Sequence, residues 1–205
     1  MVFGENVLET TQMRKLNLPE QTLEKLSQML ELPRGSRFDL LGFSLNLQKR
    51  TITDKLADTS WMELVEKLIP ALLFHYSQGT KTSLAGKLVK FRELPGGYAY
   101  EGAFNERAIN PVAQAFAQQP RDLPKAAKLV GGKPLNMGDY SVEITPLKGI
   151  PLTYILWVAE EFPASASILY DQSASSYLPT EDLAVLGELT TNRLLKAEEV
   201  LTKSA

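Results

Sequence analysis

Thr153–Leu195, TYILWVAEEFPASASILYDQSASSYLPTEDLAVLGELTTNRLL, holds the densest apolar run of the chain, its clearest turn chemistry and its best helix start. Leu152, Tyr154, Leu156 and Val158 alternate with Ile155 and Trp157. A strand apolar on both faces is one that its surroundings cover on both sides, so this run is read as central in a sheet. Glu160, Glu161, Phe162 and Pro163 break it with charge and a fixed φ. Ala166, Ile168 and Tyr170 then alternate with Ser167, Leu169 and Asp171 as a second strand, and a hairpin is the economical connection. Thr180 is read as the N-cap of the last helix, its hydroxyl accepting from a free amide of the first turn, with Glu181 and Asp182 complementing the positive helix end. Leu183, Leu186, Thr190, Leu194, Ala197 and Leu201 recur at spacings of three and four, one apolar stripe to lie across the sheet.

Upstream, the chain reads as α+β: a largely antiparallel sheet with a C-terminal strand hairpin and amphipathic helices on its faces. Residues up to Arg34 are helical in character, with Pro19 at a first helical position and Leu23, Leu26, Met29 and Leu30 on one stripe. Phe43, Leu45 and Leu47 mark a half-buried strand, with Ile52 at the start or end of its neighbour. Asp58, Thr59 and Ser60 offer caps for a helix from about Trp61 to Tyr76, bent at Pro70 and stopped by Gly79. A strand over Leu88–Glu93 runs into the Pro95, Gly96, Gly97 loop. Helices from Ala103, from Asn110 and Pro111, and one capped by Asp122 and stopped by Gly131 and Gly132 follow, then a strand over Tyr140–Thr145.

At 205 residues the chain is expected to form a single domain, 1–205, with 1–33 a possible helical arm. Such a length buries roughly 70% of the extended chain's surface. Twenty-four acidic and 22 basic residues, a net charge of -2, give no electrostatic footprint for nucleic acid. The absence of cysteine excludes disulfides, zinc–thiolate sites and thiol catalysis. No signal peptide or spanning segment is evident, so a cytoplasmic location away from membranes is expected, without a cofactor.

FRELPGGYAY at Phe91–Tyr100, together with EEFPASASILYDQSASSYLPTEDLAVLG at Glu160–Gly187, resembles the bacterial and archaeal family catalogued as domain of unknown function 3786, over about His75 to Leu195. The resemblance implies a setting among anaerobes, in redox or one-carbon metabolism, where many members carry a cysteine-rich iron–sulfur module beside the domain. This chain departs from that pattern, because without cysteine it cannot ligate a cluster through thiolates. The family supplies no catalytic residues.

Candidate binding residues are therefore read from chemistry: Arg92, Gly96, Gly97, Tyr98, Asp171, Thr180 and Glu181. Arg92 can grip a carboxylate or phosphate through two N–H groups, the glycines permit close backbone approach, and Tyr98 and Tyr100 offer flat faces with polar tips. Arg92 either pairs internally with Asp171 or Glu181 or meets an external anion. The acids Glu160, Glu161, Asp171, Glu181 and Asp182 form a second group, suited to hard cations or acid–base work, or simply to a turn and a helix start. His75, the sole histidine, is read as structural at a helix end. A serine triad with Ser165, Ser167 or Ser173 lacks its usual turn motif. The expected function is a non-enzymatic accessory domain binding a small anionic ligand or a protein partner; the alternatives are a carboxylate-based, metal-dependent hydrolase or transferase with His75 as accessory base, and a structural subunit.

Overall fold

The computed structural model describes residues 13–33, 35–56, 62–158 and 162–203. Two antiparallel sheets carry the chain. The first, in order β1-β4-β3-β2, is built from β1 (Met13–Lys15), β2 (Arg37–Leu40), β3 (Phe43–Asn46) and β4 (Thr51–Asp54). The second, in order β5-β9-β8-β7-β6, comprises β5 (Leu88–Lys90), β6 (Lys133–Leu135), β7 (Tyr140–Leu147), β8 (Ile150–Trp157) and β9 (Ser165–Asp171). The helices are α1 (Glu20–Leu30), α2 (Met62–Gln78), α3 (Glu101–Phe104), α4 (Asn110–Phe116), α5 (Asp122–Leu129) and α6 (Thr180–Lys203).

The centre of the second sheet follows from its apolar alternation. β8 lies between β7 and β9, and every residue from Ile150 to Leu156 is buried. Tyr154 faces Val142 on one neighbour and Ile168 on the other, while Leu152 faces Ile144 and Tyr170, so one apolar layer crosses the sheet. Helix α6 covers that layer. The buried Tyr170 hydroxyl donates to the Leu183 carbonyl at 2.8 Å and Tyr154 reaches the Gly187 carbonyl at 3.3 Å, satisfying two phenols that burial would otherwise penalise. Burial pushes both phenols well above the ordinary tyrosine range. The hydrophobic core runs continuously from Leu16 to Ala197.

Several boundaries differ from the sequence expectation. Thr180 is the first helical residue rather than the N-cap: Leu183 N bonds Pro179 O, and the Thr180 hydroxyl donates outward to Pro95 O at 2.7 Å. Pro19 precedes α1 instead of opening it, and Asp122 is the first residue of α5, its carboxylate paired with Lys125. Met13–Lys15 is a strand, since pairing with Thr51–Thr53 decides a segment too short to show a period. Pro70 sits inside α2. Glu160, Glu161, Asp58, Thr59 and Ser60 lie outside the described residues.

Candidate functional site

The strand expected over Leu88–Glu93 ends at Lys90, because Phe91 turns inward. Its ring stacks on Phe104 with centroids 4.3 Å apart and tilts against Tyr170. The next residues tighten into a 3₁₀ turn, Phe91–Glu93, in which the Glu93 carboxylate accepts from Lys90 N at 2.7 Å. This turn lifts Arg92 into solvent. Its guanidinium carbon lies 5.2 Å from the centre of the Tyr98 ring, and Nη1 meets Glu101 Oε1 at 3.2 Å.

The two glycines divide their work. Gly96 has φ 76°, a left-handed conformation with open space where a Cβ would lie. Gly97 is buried, and a Cβ there would stand 2.0 Å from Phe91 O. The close approach foreseen for a ligand is thus made by the chain's own backbone. Thr180 completes the frame by holding Pro95 O, which ties the loop to the start of α6.

Beside this loop lies a groove of about 250 Å³, lined by Lys90, Arg92, Glu101, Asn105, Asn110 and Ser167 with Phe91, Ile109, Ala166 and Ile168 behind them. Asn105–Ile109 is a π-helical segment joining α3 to α4, a rare geometry that is frequent at functional sites. Among the described residues that line it, two are cations and one is a carboxylate. Pockets for drug-sized ligands begin at about 300 Å³, so the groove suits a small acidic group or a side chain rather than a large cofactor. A larger cavity of about 370 Å³ between α1 and the Gln48–Arg50 turn is spanned by the chain's own Arg50–Glu20 ion pair.

The other expected site residues do not gather with Arg92. Asp171 is buried and accepts from Ala85 N at 2.9 Å, Gly86 N at 2.8 Å, Ser173 N at 3.0 Å and the Ser173 hydroxyl at 2.6 Å. Burial raises its pKa, but these hydrogen bonds outweigh it and hold the carboxyl below the ordinary aspartate range. Glu181 is exposed on the first turn of α6, and Arg92 pairs with Glu101 rather than with either acid. His75 Nδ1 meets Asp182 Oδ2 at 2.7 Å, joining the end of α2 to the start of α6, while Ser173 serves Asp171. Among the described residues no group of three or more histidine, aspartate or glutamate side chains is placed to hold a metal ion. No helix among them is long and apolar enough to cross a membrane.

Lys90, Glu101, Asn105, Asn110 and Ser167 are the groove residues that sequence reasoning missed. Lys90 and Glu101 flank the Phe91–Tyr100 motif and could have been included on that ground. Asn105 and Asn110 carry no such signal.

The fold and groove define an α+β domain of two antiparallel sheets with a small polar recess at the end of a short edge strand. Residues 24–193 match the family described as Domain of unknown function (DUF3786), and the chain belongs to that family. The match begins inside α1, well before the His75 at which the motif resemblance starts, so β2, β3 and β4 of the four-stranded sheet lie within the matched region and β1 precedes it. No curated protein and no solved structure matches the chain.

Proposed function

We propose that the protein is a non-enzymatic binding domain whose groove takes a small anionic group, a carboxylate or phosphate, from a ligand or protein partner. The observation that carries this reading is the lining of the groove: among the described residues, Lys90 and Arg92 share it with one acid, Glu101, and Asn105, Asn110 and Ser167 complete its polar lining. Glu101 engages one nitrogen of Arg92, which leaves other donors of the planar fork for a second acceptor. The Tyr98 ring lies against the same guanidinium. A setting in anaerobic redox or one-carbon metabolism belongs to the same reading through the family's associations, as does a cytoplasmic location. Against carboxylate chemistry stands the engagement of Asp171 by four hydrogen bonds within the fold.

Thermal unfolding at low ionic strength tests it. Succinate or inorganic phosphate is expected to raise the Tm of the native chain, since binding to the folded state stabilises it. The same anions should leave a K90A/R92A chain unmoved. Equal shifts in both chains, or none in either, would refute the assignment.

A further inference from the structure

Strand β9 runs from Ser165 to Asp171, yet β5 pairs only with Leu169, Tyr170 and Asp171. The burial of Phe91 takes the chain off the sheet edge at that point. The edge of Ser165–Ile168 that faces away from β8 therefore has no strand beside it, and among the described residues no other hydrogen bond reaches its main chain. At about 3.3 Å per residue this open edge is about 13 Å long. Ala166, Ser167 and Ile168 on it line the same groove as Lys90 and Arg92.

A strand edge with no pairing strand presents alternate N–H and C=O groups ready for another strand. A free small acid would use the cations and leave those groups unmet. We propose that the edge of Ser165–Ile168 takes an extended acidic peptide of a partner protein, added in line with β5, with one of its carboxylates entering the groove at Lys90 and Arg92. This rests on the acid-binding reading above and names the partner for the same site. Main-chain bonds to β9 supply affinity, and the cationic end of the recess selects the acidic side chain or terminus. The direction of the added strand follows β5, antiparallel to β9.

The probe is a random hexapeptide library displayed on phage and panned on the full chain at low salt. The recovered peptide is then synthesised with a fluorophore for anisotropy. Support requires recovered sequences that carry aspartate or glutamate and an affinity loss of about tenfold or more when alternate peptide nitrogens are methylated, a factor readily resolved by titration. The K90A/R92A chain, verified as folded by its melting curve, should show a loss of similar size. Binding indifferent to N-methylation, or no recovered peptide while succinate still raises the Tm, overturns strand addition and leaves the acid-binding reading in place. Failure of both peptide and succinate removes both. A dimer that forms without peptide and excludes it overturns the proposal in favour of a second copy of the chain.

Discussion

Arg193 of α6 meets Asp54 of β4 through Nη1 and Nη2, at 3.0 and 2.5 Å, with each side chain less than 5% exposed. Arg193 Nε also donates to Leu41 O at 2.9 Å, and its guanidinium carbon lies 3.9 Å from the centre of the Phe43 ring. Leu41 and Gly42 form the β2–β3 turn, both with positive φ, at 52° and 81°. A leucine in that conformation is strained. Its burial and the bond from Arg193 hold it there, so one side chain fastens the first sheet to the last helix.

Arg193→Met is expected to destabilise the chain by about 3–5 kcal/mol, since it takes the guanidinium away from a buried carboxylate. Asp54→Leu together with Arg193→Met should cost less than the sum of the single changes, because the buried carboxylate leaves together with its cation. Urea unfolding of the three variants measures this.

Gly97→Ala places a methyl group against Phe91 O and should cost at least about 1–3 kcal/mol, the range for overpacked sites. Gly96→Ala meets no neighbour, and only its positive φ resists, so the penalty should be near 1 kcal/mol. The contrast between the two melting curves separates packing from backbone strain.

Asp171 makes stability fall in acid. Its folded pKa lies below the unfolded value of about 3.9, so its contribution is fully present above about pH 4 and is lost as pH falls through the folded pKa. Asp171→Asn should lower the urea midpoint at neutral pH and flatten its decline between about pH 4 and lower values. The segment carrying Ala85 and Gly86 should gain the most hydrogen exchange, as those amides lose their carboxylate.

Arg92→Ala and Tyr98→Ala are expected to change stability by no more than about 0.5 kcal/mol, the usual range for surface positions. Arg92 is 46% exposed at its side chain and Tyr98 72% overall. Both should nevertheless weaken the response to succinate, Arg92→Ala more so because it removes the donors. Melting curves with and without the anion separate the two effects.

What was legible in the sequence depended on pattern length. β8, β9 and α6 were readable because their apolar residues repeat over seven or more positions. β1 and β6 span three residues each, too few to show any period, and pairing alone defines them, while the alternation that marks β5 runs on past Lys90, where Phe91 leaves the sheet. Arg193 was overlooked although it lies three residues after Thr190 and four before Ala197, on the buried stripe of α6. A charge at such a spacing is itself a signal of a buried partner. Arg92, Tyr98 and the glycine turn are legible as one unit, while the acid that meets Arg92 is Glu101, nine positions away, rather than the distant Asp171 or Glu181. The open edge of β9 had no sequence signal, since it exists only because Phe91 leaves the sheet.

Titration of the ¹⁵N-labelled full chain with succinate, followed by amide chemical shifts, tests the groove most directly. Lys90, Arg92, Asn105, Asn110 and Ser167 are expected to shift together and to saturate, and the K90A/R92A chain should show no such response. A spectrum that does not move, or saturable shifts centred on Glu20 and Arg50 instead, would contradict it.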